Sequence, residues 1–302
     1  MAERLKLAAG PILLVCGFIS MSNIISFEQL ACPLDGGPLR RSGMAWRCPA
    51  GHSFDVSSQG YTHLLPVQQK RSRDPGDSKE MVAARRRFLN AGHYQPLADA
   101  VGETVLAGLA PQAGCACLDA GCGEGYYLRR LAARTSPALT LSPLGLDISK
   151  WAVQAAAKQD RRMQWLVGSN ANLPVLSSTL DRVLCMFGFP VYPEFARVLK
   201  PGGVLVQVDA GPDHLRELRE IIYPALKPER VADTVAPAGF ALLGSEALRF
   251  PVKLEDAGQI ADLLLMTPHL FRAGPEGRAR ASALTALSLT VDVRLLRFAR
   301  QG

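Results

Sequence analysis

From residue 97 to the C-terminus, short apolar runs alternate with stretches whose apolar positions recur at helical spacing. Such runs read as buried strands and the stretches between them as crossover helices, which predicts a βαβ sheet. The strand candidates are residues 115–118, 139–146, 163–167, 183–186 and 204–209. A helix is expected over 149–158, where the first turn follows Asp147 and Ala155, Ala156 and Ala157 favour helix. Past residue 236 the pattern is ambiguous: 240–243, 247–252 and 288–298 read as strands, and 255–266 as a helix.

The chain before residue 97 has another texture. Residues 28–68 are rich in Cys, Gly and Pro with little periodicity, and read as a small loop-rich module. Residues 69–96 form a basic linker and a helix, with Asp77 or Ser78 placed to cap a helix that starts near Lys79. Residues 1–27 are read as a leader or an N-terminal extension. Within it, Arg4 and Lys6 precede an apolar run at 7–19, broken by Gly10, Pro11 and Gly17. That resembles a secretory signal, yet is too short and too broken to span a membrane. The cysteine cluster and the nucleotide-type fold after it suit the cytoplasm, so the preferred reading is a start at Met21 and no membrane partner.

Composition narrows the classes. A chain of 302 residues with 48% hydrophobic content can bury a full α/β core and one small accessory unit. Disorder, collagen and coiled coil are excluded. The net charge of +7 and isoelectric point near 9.2 fit a polyanionic partner, and equally a basic enzyme of small substrates. Seven scattered cysteines fit reduced thiols with a metal site better than a disulfide framework.

The central motif is Cys117-Leu118-Asp119-Ala120-Gly121-Cys122-Gly123-Glu124-Gly125. A strand ends in an acid, and a glycine turn leads into a helix. The spacing is G-x-G-x-G, not the G-x-G-x-x-G of nicotinamide sites, and the Gly-Lys-Ser/Thr of a P-loop is missing. It resembles motif I of the class I S-adenosylmethionine (SAM) methyltransferases. Asp147 ends the second strand, where a carboxylate can accept from both ribose hydroxyls. Ser169 and Asn170 follow the third strand, at the place of the adenine contact. Arg197-Val198-Leu199-Lys200-Pro201-Gly202-Gly203 enters the fifth strand in the manner of that superfamily.

Cys32-Pro-Leu-Asp35 and Cys48-Pro-Ala-Gly-His52 read as two halves of a tetrahedral zinc site. The complete pattern would be C-x-x-C followed by C-x-x-x-H, and Asp35 stands at the second Cys position. Three readings remain open: a site of two thiolates, one imidazole and one carboxylate; a weak three-ligand site; and a vestigial one.

In the stretch from Leu64 to Ser78, Lys70, Arg71 and Arg73 offer phosphate contacts, and Arg85 and Arg86 continue them along the helix. Read with the Cys/His module and the Gly121–Tyr127 loop, it closely resembles the 23S ribosomal RNA (guanine-N1)-methyltransferases of the RlmA type. Gly211-Pro212-Asp213-His214-Leu215 and Leu265-Met266-Thr267-Pro268 fit the same family. The resemblance implies a zinc-ribbon-like N-terminal module, a Rossmann-like class I SAM domain over 97–302, and methylation of guanine N1 in a 23S hairpin. It also implies a homodimer. Tyr94, Asp119, Gly121, Gly123, Glu124, Asp147 and His214 are then expected to hold SAM, and Cys32, Asp35, Cys48 and His52 zinc.

Guanine N1 is a poor nucleophile until its proton leaves, so a carboxylate is needed nearby. Asp74 and Asp77 are the candidates, with turn and cap formation as their alternative role. Trp46, Tyr61 and Phe187 are candidates to stack on an unstacked base. Two rival functions stand beside this one: methylation of another RNA or a small molecule, and RNA binding without catalysis.

Overall fold

The computed structural model describes residues 23–70, 72–110, 112–226 and 235–302. The leader expectation for residues 1–22 and the phosphate contact expected of Arg71 lie outside the described residues. In chain order, β1 (Asn23–Ile24) precedes a three-stranded meander, β2 (Arg40–Ser42), β3 (Ala45–Arg47) and β4 (Ser53–Asp55). Next come β5 (Tyr61–His63), α1 (Lys79–Asn90), α2 (Gln95–Leu106), β6 (Gly114–Ala120) and α3 (Tyr126–Arg134). β7 (Thr140–Asp147), α4 (Lys150–Gln159), β8 (Gln164–Val167), β9 (Leu180–Met186), α5 (Tyr192–Val198) and β10 (Leu199–Ala210) are the central elements. The chain ends with α6 (Arg216–Ile222), β11 (Phe240–Leu254), α7 (Ala257–Met266), α8 (His269–Arg272), α9 (Pro275–Ser282) and β12 (Leu287–Arg300).

The main sheet has the order β11-β12-β10-β9-β6-β7-β8-β5, with β1 on β7. β12 runs antiparallel to both of its neighbours, and the other pairs are parallel. The chain winds outward from β6 to β8, then restarts at β9 on the other side of β6. A reversal of this kind opens a crevice beyond the carboxyl ends of the two strands.

Side chains alternate along the strands into two apolar layers. Cys115 and Cys117 point into the layer of α1–α4, α6 and α7, while Leu118 and Ala120 point into the other. That second layer is built differently. Its helix is α5, and residues 168–179 between β8 and β9 hold no helix. The N-terminal meander fills this place. Leu30, Trp46, Cys32 and Cys48 share one apolar cluster with Leu144, Leu166 and Leu173. The backbone N–H of Ala31 donates to Pro174 O at 3.0 Å, and that of Leu176 to Gln29 O at 3.0 Å.

Strand pairing reaches across the expected boundaries at residues 28 and 68. Asn23–Ile24 lies within the segment read as a leader, yet it pairs with Thr140 and Leu141 of β7. Tyr61–His63 lies within the expected module, yet it extends the main sheet beside β8. Two- and three-residue strands leave almost no periodicity to read. The segments 240–243 and 247–252 are one strand, β11, whose register shifts between Leu242 and Gly244. Such a bulge breaks the alternation on which the sequence reading relies.

Candidate active site and metal centre

Two tight turns bring the four expected metal ligands together. The N–H of Gly36 donates to Cys32 O at 2.8 Å, and that of Gly51 to Cys48 O at 3.0 Å. The ligand atoms of Cys32, Asp35, Cys48 and His52 lie within 4.8 Å of one another. Asp35 divides its work. Its Oδ1 accepts from Gly37 N at 2.8 Å, which fixes the turn, and its Oδ2 lies 3.2 Å from Cys48 Sγ and 3.0 Å from His52 Nδ1. The Gly37 amide first, and then Cys48, hold the Asp35 carboxyl down at about 2. Two thiols, an imidazole and an ionised carboxylate at such separations are compatible with zinc.

At the crevice, Asp119 is the last residue but one of β6, and the chain turns through the glycine loop into α3. Gly125 is the N-cap of α3 with φ +80, in the left-handed region where a Cβ is strained. A Cβ there would also collide with the Trp165 ring, which is fully buried beneath the loop. The loop is tied to the next strand. Gly123 N donates to Asp147 Oδ2 at 2.9 Å, and Ser149 N to Asp147 Oδ1 at 2.8 Å. Both Gly121 N and Cys122 N donate to Leu146 O.

Several buried acceptors in the glycine loop and the neighbouring Asn170 turn lack a donor. Among the described residues, neither oxygen of the Asp119 carboxylate has a partner, nor does Asn170 Oδ1 or Glu124 Oε1. Burial, then the charge of Asp147, pushes the Asp119 carboxyl up to about 8. Asn170 reaches the same place, donating its Nδ2 to Ala120 O at 3.3 Å. The other Glu124 oxygen accepts from Arg129 at 2.9 Å and from Gln159. Burial raises the Glu124 carboxyl, and Arg129 opposes that. Unpaired acceptors at this depth cost free energy unless a ligand rich in donors covers them. SAM carries such donors: an ammonium, an adenine amino group and two ribose hydroxyls. The residues fit it.

Aromatic rings form the adjoining wall. Tyr94 is buried and meets Phe88, His214 and Phe250 edge-on, with centroids 5.4, 6.4 and 6.5 Å away. His214 lies 5.5 Å from the Phe187 ring. Its Nδ1 accepts from Asp292 N at 3.3 Å, and burial lowers its pKa to about 4, so the ring stays neutral at neutral pH. Phe187 has φ +51 and remains 40% exposed just past β9. A non-glycine residue held there stores strain, a feature that clusters at functional sites. Trp46 and Tyr61, by contrast, are buried in the two apolar layers and are not available to stack on a base.

The basic segment is less uniform than its sequence. Ser78, not Asp77, caps α1, its side chain accepting from Met81 N. Asp77 forms an ion pair with Arg85, and its carbonyl accepts from Ser149 Oγ at 2.7 Å. Arg85 turns inward, donating to Met266 O at 2.9 Å and lying against the glycine loop near Gly123. Its guanidinium is thus engaged with Asp77 and Met266 O, where a phosphate contact was expected. The signal was present: Val82 and Phe88, three residues either side, mark a buried face. Arg87 is paired with Asp262, while Arg86 is exposed. Asp74 is exposed, outside the glycine-loop cluster.

Residues that the sequence did not single out complete the site. Asp292 accepts from Asp213 N at 2.9 Å, and Glu217 receives Thr290 N and Oγ1, so β12 positions the Gly211–Leu215 turn. These partners are more than seventy residues apart in sequence, which no local spacing reveals.

Residues 30–73 match the family model described as RlmA, N-terminal, and residues 117–203 match one described as a methyltransferase domain. A Micromonospora griseorubida protein assigned as a 23S rRNA (guanine-N(1)-)-methyltransferase is 36% identical, over 89% of this chain and 97% of its own. The 23S rRNA (guanine(748)-N(1))-methyltransferase of Streptomyces fradiae is 34% identical, over 86% and 91%. YxjB of Bacillus subtilis, with the same assignment as the first, is 31% identical, over 91% and 99%. The chain belongs to the 23S rRNA (guanine-N1)-methyltransferase family. It is a SAM-dependent methyltransferase with an N-terminal zinc ribbon. Among the described residues, no helix is long and apolar enough to cross a membrane.

Proposed function

We propose that this protein methylates N1 of a guanine in a hairpin of 23S rRNA, as a cytoplasmic enzyme that works as a homodimer. The observation that carries the reading is the span of the likeness. The relatives match across the ribbon and the methyltransferase domain together, not the common domain alone.

SAM, when bound, supplies an electrophilic methyl group. The residues proposed to hold it are Tyr94, Asp119, Gly121, Gly123, Glu124, Asp147 and His214, with Asn170 added for its unpartnered buried oxygen. Asp147, fixed by two backbone donors, is placed to accept ribose hydroxyls. Asp119, in a water-poor setting, is suited to a donor that arrives with positive charge. Neutral His214 and Tyr94 close one side and exclude water. Phe187, strained and exposed beside His214, offers a face on which the acceptor base stacks. Alignment of donor and acceptor then supplies most of the acceleration.

The N1 proton still has to be removed. Asp77 is neutralised by Arg85 and joins α1 to Ser149, so we assign it a positioning role. Asp74, exposed and outside the glycine-loop cluster, is not assigned as the base either. Zinc on Cys32, Asp35, Cys48 and His52 is proposed to be structural.

Incubation with labelled SAM and naked 23S RNA, followed by mapping of the modified nucleotide by mass spectrometry, tests the reading. Methyl label on guanine N1 supports it. Label on another base, or none, overturns it. Sedimentation of the purified protein tests the homodimer.

A further inference from the structure

A second concavity lies apart from the glycine loop. It is a shallow, open-mouthed depression with a cavity volume of about 30 Å³, lined by His63 at the end of β5 and Leu65 after it, by Lys70, Arg73 and Pro75 of the linker, and by Lys150 and Trp151 at the start of α4, among others. Asp119, Gly121, Gly123, Asp147 and Asn170 do not line it. Three elements from distant parts of the chain converge on it, and the packing of Gly76 fixes how. A Cβ on Gly76 would come within 2.9 Å of Ile148 Cγ2 and Ser149 Cβ, so the linker lies directly on the β7–α4 junction.

The chemistry of the lining is one-sided. Among the described residues, Lys70, Arg73 and Lys150 have no carboxylate partner, although elsewhere Arg87, Arg129, Arg134 and Arg197 are paired. One carboxylate, Asp74, stands against three cations. Burial, then the charges of Lys70 and Lys150, depresses the His63 pKa, so its ring faces them neutral. Trp151 is half-buried, whereas the other two indoles, Trp46 and Trp165, are sealed in the core. Unpaired cations gathered around a partly open indole suit a phosphate joined to a planar ring system.

We propose that this concavity binds one unpaired nucleotide of the RNA substrate away from the methylated guanine, its phosphate between Lys70, Arg73 and Lys150 and its base against Trp151. The inference rests on the rRNA function proposed for the chain and adds to it a site, with Lys150, Trp151 and His63 as contacts. A nucleotide held here fixes the RNA at a second point, so that the hairpin enters the crevice in one orientation.

The test uses the full chain and a 23S hairpin transcript. With Trp46 and Trp165 buried, Trp151 dominates the fluorescence that RNA can quench. Hairpin binding is expected to quench emission in the wild type, and not in Trp151→Leu. Arg73→Ala/Lys150→Ala is expected to weaken hairpin binding about tenfold and to lower the salt slope by about two, with SAM affinity unchanged by calorimetry. Unchanged affinity and slope in both variants overturn the proposal while leaving the rRNA reading intact. If the wild type binds no 23S hairpin, the rRNA reading itself fails. Guanosine monophosphate is the third arm: quenching by it at the affinity of the hairpin assigns the site to a free nucleotide and overturns the RNA assignment.

Discussion

Gly123 and Asp147 are joined by a hydrogen bond from the Gly123 amide to Asp147 Oδ2 at 2.9 Å. It ties the turn after β6 to the end of β7, and leaves the carboxylate anchored with lone pairs to spare. Asp147→Ala should reduce SAM affinity on the order of 100-fold, the value of two charge-assisted hydrogen bonds. Gly123→Val, which forces a β-branched side chain onto a backbone at φ +55, should do the same. Calorimetric titration with SAM checks both, and unaltered affinity in both variants removes the loop from the pocket.

Asp119 should make SAM binding depend on pH. Its carboxyl ordinarily ionises near 3.8 but is held protonated to about 8 in the folded chain. Between those values the folded state keeps a proton that the unfolded state has lost, so this group's contribution to stability falls as pH rises. A cationic ligand reverses the preference and expels the proton. Affinity should therefore climb with pH up to about 8 and then level off. Calorimetry at neutral pH in buffers of differing ionisation heat should show proton release, and Asp119→Asn should abolish it. Proton uptake, or none, in the wild type contradicts this.

The glycine loop should be mechanically dependent on Trp165. Trp165→Ala should destabilise the fold by about 3–5 kcal/mol, read from denaturant melts. Gly125→Ala should also destabilise it, because its Cβ meets the indole. In the double variant the collision is gone, so the cost should fall below the sum of the two. Additive costs would show that the collision is not what destabilises Gly125→Ala.

Zinc should be present once per chain, and Asp35→Cys should tighten it by supplying a third thiolate. Competition with a colorimetric chelator reads the affinity. An Asp35→Cys protein no tighter than the wild type would place Asp35 outside the ligand set.

Arg85 and Arg86 are neighbours with opposite expected behaviour. Arg86→Gln should flatten the salt dependence of RNA binding, since its side chain is exposed. Arg85→Gln should leave that slope alone and lower thermal stability, because its partners are Asp77 and Met266 O. A change in the salt slope with Arg85→Gln would show that it leaves its inward position to meet RNA.

Much of the architecture could be read from the chain because β6, β7, β9 and β10 are long apolar runs whose ends carry the glycine loop and Asp147. The metal ligands were legible for a similar reason, since each pair lies on one tight turn. Short strands were not: β1 and β5 owe their conformation to partners more than a hundred residues, or about that, along the chain. The orientation of Arg85 was half legible, visible in helical spacing but hidden by the arginines beside it. Asp292 and Glu217 could not be found in advance, because their role depends on β12 folding back next to the turn they hold.

The ribbon occupies the layer where a crossover helix would otherwise cover β7 and β8, and this makes metal supply a matter of protein quality control. Were the ribbon to stay unfolded for want of its ion, Leu144, Leu166 and Leu173 would lose the apolar residues that share their cluster, and a bare apolar sheet face invites aggregation and proteolysis. Metal scarcity would then lower the amount of enzyme in the cell before it altered the turnover of the molecules that remain.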